Sequence, residues 1–202
     1  MRTYRISSRL SRSLGALALL ALGATTVTAQ EAAHHDMPMP ETGLQAELIR
    51  DITRLEGQYT SLAEAMTGKY DWRPGEGVRS VGEVYMHIAG ANFMLPTFVG
   101  IAPPASMKAA NMEEAMAAMQ ALEKETDPAK MHETLKHSFT HAKHAVAQVT
   151  DAQLEEKTKF FGQDVTKRFV ITMLVSHMHE HLGQSIAYAR TNGVTPPWSA
   201  AE

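Results

Sequence analysis

Apolar side chains recur along this chain at helical spacing, and no segment shows the sustained alternation of a sheet. Leu48, Ile52, Leu55, Tyr59, Leu62 and Met66 follow steps of 4, 3, 4, 3, 4, which lay one stripe along a bundle-type helix. Thr42 and Gln45 stand at capping-box spacing at its start, and Gly68 is a stop signal. A loop follows, GKYDWRPGEGVR (68–79), in which Trp72 is expected to fold back as an anchor. Ser80 and Glu83 offer a second capping box, and Val81, Val84, Ile88, Ala91, Leu95 and Phe98 form the next stripe. Pro96 limits that helix.

Asn111 caps a short methionine- and alanine-rich helix over 112–124. Asp127-Pro128 opens another helix, which buries Met131, Leu135, Phe139, Ala142 and Val146 and ends near Val149. Residues 150–165 read as an irregular crossing or a small hairpin. The last helix runs from about Thr166 to Gly193. Four long helices and one short one make an all-α chain, a four-helix bundle in which sites are built from side chains on facing helices.

The N-terminus belongs to a different regime. Arg2, Arg5, Arg9 and Arg12 precede an apolar run from Leu14 to about Ala24, and Val27-Thr28-Ala29 has the small residues of a cleavage site. That order predicts a signal peptide at 1–29 whose apolar run is too short for a membrane span. It divides the chain into the leader, a flexible lead-in at 30–41, the bundle at 42–193 and a tail at 194–202. The mature protein is then expected in the periplasm or secreted, with no membrane contact after cleavage. The leader carries four of 19 basic residues and none of 22 acidic ones, so the mature chain has 15 against 22, a formal net charge of −7. Such a surface argues against a nucleic-acid partner. The absence of cysteine excludes disulfides, thiolate metal sites and a cysteine nucleophile. Any bound metal must sit on nitrogen or oxygen.

The candidate chemistry lies in the last helix, whose stripe reads Val170, Leu174, His177, His181, Gln184, Tyr188. His177 and His181 are one turn apart on one face, a spacing at which two imidazoles reach one ion. The competing reading is a pair of hydrogen-bonded core histidines, or a helix rotated so that both face solvent. A third ligand must come from elsewhere, and His87, at the edge of the second helix's stripe, is the candidate. His179-Glu180 is not a zinc-protease motif, because its second histidine would fall at Gly183. His137, His141 and His144 share a face turned away from their helix's stripe and read as solvent-facing. His34 and His35 read as part of a solvated tail. No general acid or base is assigned.

SHMHEHLGQSIAYAR (176–190) resembles the last helix of DinB-like proteins, also described as YfiT-like metal-dependent hydrolases. The family's pattern there is a histidine, three residues, a histidine, one residue and Gly-Gln; His177, His181, Gly183 and Gln184 fill those places. VYMHIAGANF, which contains His87, is similar to the segment that carries the family's first ligand, and WRPGEGVRSVGE (72–83) to its lead-in. The resemblance in layout covers about residues 43–192. It implies an up-down-down-up bundle, a three-histidine site for nickel or zinc and, often, a homodimer. It further implies a metal-dependent hydrolase, or a transferase that activates a small thiol as its small-molecule substrate. Those thiol transferases act in the cytoplasm, and this chain departs from them in carrying an export signal. The rival expectation is a metal-binding or stress-related protein whose ion is purely structural.

Overall fold

The computed structural model describes residues 39–199. The leader and most of the lead-in, with His34 and His35, lie outside the described residues. The described residues form five α-helices: α1 (Gly43–Ala65), α2 (Val81–Met94), α3 (Met112–Leu122), α4 (Pro128–Gln148) and α5 (Lys167–Thr191). Between α4 and α5 the chain turns through a hairpin, β1 (Lys157–Phe160) paired antiparallel with β2 (Gln163–Thr166). No described helix is long and apolar enough to cross a membrane.

Specific contacts fix the directions of the long helices. Gln45 near the start of α1 donates to the Val149 carbonyl just past α4, and Tyr70 beyond the end of α1 meets His132 near the start of α4, so these two run antiparallel. A Cβ at Gly82 would lie 2.8 Å from Met131 Cε, and Asn92 donates to Ser138, which makes α2 and α4 parallel. Asp51 meets His179, and Trp72 packs on Tyr188, so α5 runs with α1. The topology is therefore up-down-down-up, as the sequence implied. Tyr59, Tyr85 and Phe139 fill the axis, with Tyr59 centred 5.4 Å from Phe139 and 6.3 Å from Tyr85. The Tyr59 hydroxyl donates to the Met178 carbonyl at 2.7 Å, which gives this buried polar group a partner and pins α1 to α5.

Local chemistry follows the sequence in most places. Ser80 and Glu83 form the expected capping box, Asn111 accepts from the Glu114 backbone, and Asp127 accepts from Ala129 with Pro128 in the first turn. Trp72 does fold back, its ring 5.3 Å from that of Tyr188. At Pro96 the α-helix gives way to a 3-10 segment, Leu95–Val99. Pro96 has no backbone N–H to donate, so the α-helical hydrogen-bond ladder does not continue through it.

Four readings need correction. Thr42 is the N-cap of α1 but its side chain makes no capping bond; Gln45 is spent instead on Val149 and Asp151, a tertiary tie that outcompetes the local box. In α2 nearly every side chain except Glu83 and His87 is buried, because α4, α5 and α3 pack against three of its sides. His141 and His144 are buried, not solvent-facing. Helix α4 touches both α1 and α2, so its buried arc is wider than one stripe, and His141 packs edge-on against Phe93. In α5 Val170, Leu174 and Tyr188 of the expected stripe are buried, but so is the line one position round, Ile171, Val175, Met178, Leu182, Ser185 and Ala189, whereas His177, His181 and Gln184 are not. The helix lies between α1 and α2, and the Tyr59 bond at Met178 sets its rotation. His177 and His181 consequently stand half-buried at the border facing α2, not in the core.

Candidate metal centre

The border position of His177 and His181 brings them against His87, which is the half-buried member of an otherwise buried helix. One nitrogen from each of the three rings lies within 4.8 Å of the others. Ring centroids stand 5.3 Å apart for His87 and His177, 4.8 Å for His87 and His181, and 4.6 Å for His177 and His181. Among the described residues no other set of three or more histidines and carboxylates has this metal-holding geometry. His179 points to solvent and bonds Asp51 at 2.7 Å, and His137 packs on Phe93; neither joins the group.

Two of the rings are held by their outer nitrogens. His87 Nδ1 lies 2.9 Å from Glu123 Oε1, and because a carboxylate only accepts, Nδ1 carries the proton. His181 Nδ1 lies 2.7 Å from Gln184 Oε1. Gln184 Nε2 donates to the Tyr188 hydroxyl at 2.8 Å, and that hydroxyl donates to the Arg79 carbonyl at 3.3 Å. Gln184 Oε1 must therefore accept, and His181 Nδ1 also carries its proton. Arg79 closes the circuit by donating from Nε to Glu123 Oε2 at 2.9 Å. In the neutral rings this tautomer leaves the Nε2 lone pair of His87 and of His181 for another ligand. Protein groups bonded to the far nitrogen of a ligating histidine commonly fix tautomer and ring orientation in this way.

His177 differs. Its Nδ1 is buried and bonds no group of the described protein. Burial holds its basicity well down, to about 4, and the neighbouring His181, His87 and Arg79 act in the same direction. Burial also lowers His87, against the pull of Glu123, which raises it. Both rings are thus neutral near pH 7, the state in which imidazole binds a metal. An orphaned buried nitrogen beside two further oriented lone pairs fits a divalent ion with an all-nitrogen donor set.

The helices that converge here include α3, which carries no histidine. Glu123 sits at the C-cap of α3, 36 residues from His87. It is placed by Met119, whose Cγ would be 3.2 Å from a Cβ at Gly90, so that α3 rests directly on the α2 backbone. Only this through-space contact identifies Glu123; no local motif could have done so. Glu83 is committed to its cap and to Arg73.

A solved DinB-like protein from Bacillus subtilis has a similar fold, with a TM-score of 0.53 and 23% identity over 74% of this chain and 93% of its own. No curated protein matches the chain. The sequence model of the DinB superfamily matches residues 51–185, a span that contains all three histidines, the whole of α2 and most of α5, and the chain belongs to that superfamily.

Proposed function

We propose that this protein is an exported metal-dependent enzyme, a hydrolase or thiol-type transferase, that holds one divalent ion, zinc or nickel, on His87, His177 and His181. The observation that carries the reading is the convergence of three imidazoles within 4.8 Å with no carboxylate among them. A set of three neutral ligands leaves coordination positions for small molecules, whereas structural zinc sites are closed by four protein ligands. When bound, the ion supplies Lewis acidity to a water, anion or thiol beside it. The protein's own part is to hold His87 and His181 by their Nδ1 protons and to keep His177 neutral. Export rests on the arginine-rich, apolar and small-residue order of residues 1–29.

The test is elemental analysis of the mature protein purified without a histidine tag, beside His87→Ala and His177→Ala. About one equivalent of a single metal in the parent, lost in both variants, is the expected result and would open a screen of thiols and esters. A metal-free parent, or variants with a full load, would sink the site. The mass of the protein recovered from the periplasm should correspond to a chain beginning at Gln30. A second reading, a purely structural ion, draws on the fact that the site ties α2 to α5. In that case chelation should cost most of the stability, and small anions should leave the spectrum of a cobalt-loaded sample unchanged.

A further inference from the structure

The structure assigns to Glu123, on the short helix α3, the role of positioning residue for His87, an inference that rests on the metal site proposed above. Three observations support it. First, Glu123 uses its two oxygens separately: Oε1 accepts from His87 Nδ1 at 2.9 Å and Oε2 accepts from Arg79 Nε at 2.9 Å. Its side chain is 16% exposed, so it is a half-sequestered group with both acceptor edges engaged. A carboxylate held at both ends fixes the plane of the ring it binds.

Second, its position conflicts with local preference. Glu123 is the C-cap of α3, where the helix dipole disfavours an anion and favours a cation. Lys124 follows it directly, so a cation was available one step away. A residue that offends the local rule points to a tertiary role.

Third, α3 is built as a carrier for this group. Met119 is its one buried residue, and it seats the helix on Gly90, three residues from His87 along α2. Ala115, Ala118 and Leu122 pack half-buried beside that seat, while Met112 and Met116 on the outer side are exposed. The circuit that begins at Glu123 then runs through Arg79, Tyr188 and Gln184 to His181, and so sets two of the three rings from one side of the site.

The experiment compares the parent with Glu123→Ala, Glu123→Gln and Met119→Ala. Zinc affinity is read by competition with a chromophoric chelator, and ring geometry by the visible bands of the cobalt-loaded proteins. His87→Ala serves as the control for loss of a ligand. Glu123→Ala should weaken zinc binding about ten- to a hundredfold and shift the cobalt bands. Glu123→Gln, which can still accept from His87 but sets an amide N–H against Arg79, should fall between Glu123→Ala and the parent. Met119→Ala, which loosens the seat of α3 but keeps the carboxylate, should lower the melting temperature of the metal-free protein and weaken zinc binding less than Glu123→Ala does. Zinc binding by Glu123→Ala within threefold of the parent would overturn the assignment while leaving the three-histidine site intact. So would an equal loss in Met119→Ala, since the role would then be merely structural. A parent that binds no zinc, or a His87→Ala variant that binds like the parent, would overturn the site itself and the assignment with it.

Discussion

His177 carries an uncommon burden for a half-buried histidine, because its Nδ1 is buried without a protein partner and its basicity is held down to about 4. The sign of the resulting pH dependence is fixed. The unfolded chain takes up a proton near 6.5, the folded metal-free chain only near 4, so stability falls as pH drops through that window and levels below it. His87, also lowered, adds to the loss in the same direction. Urea midpoints of chelator-treated parent and His177→Gln at pH 7, 5.5 and 4.5 check this: the parent should lose more than the variant. Equal losses would remove His177 as a cause. Tyr59 makes a second residue-scale case. Its hydroxyl donates to Met178 in the core, and Tyr59→Phe should cost about 0.5–1.5 kcal/mol in urea unfolding. A neutral result would mean that this bond does not stabilise the rotation of α5.

Among the elements, the hairpin between α4 and α5 holds the clearest local conflict. Phe161 occupies the left-handed region at φ 47°, followed by Gly162 at φ 85°. Such a pair forms the two-residue turn that matches strand twist, and the first position ordinarily takes Asn, Asp or Gly. Left-handed backbone costs an ordinary residue about 1–2 kcal/mol. The Phe161 ring recovers part of that against Phe98 and Phe160, at 5.0 and 4.7 Å, but remains 54% exposed. Phe161→Asn should therefore stabilise the protein by about 0.5 kcal/mol, read as a higher urea midpoint. A clear loss would show that the aromatic cluster outweighs the strain. The helices themselves were legible because their caps and stripes are local: Ser80, Asn111, Asp127 and Thr166 each cap the helix that follows. The rotation of each helix was not. A stripe gives the centre of an apolar arc, but the number of neighbours sets its width, and α4 touches two and α2 three.

For the molecule as a whole, a site joining α2 to α5 couples metal binding to folding. An ion that binds only the folded state stabilises it by mass action, about 2.7 kcal/mol at a hundred times its dissociation constant. Melting of the chelator-treated parent should rise with added zinc, and His177→Ala should show no rise. A parent whose melting point ignores zinc would count against the site.

The sequence by itself determined the helix bundle and named the three histidines, because helical period, capping and i, i+4 spacing are properties of neighbours along the chain. It also carried the pattern that marks superfamily membership, His177, His181, Gly183 and Gln184. Only the tertiary structure decided that His177 and His181 stand at the border of the core and not within it, that His141 and His144 are buried, and that Gln45 ties α1 to Val149 instead of capping its own helix. It alone brought Glu123 and Arg79 to the site. The physical reason is the same in each case: side chains far apart in sequence become partners only when packing fixes each helix's rotation, and a single step of 100° about a helix axis decides which group faces the core, which the solvent and which the neighbouring ring.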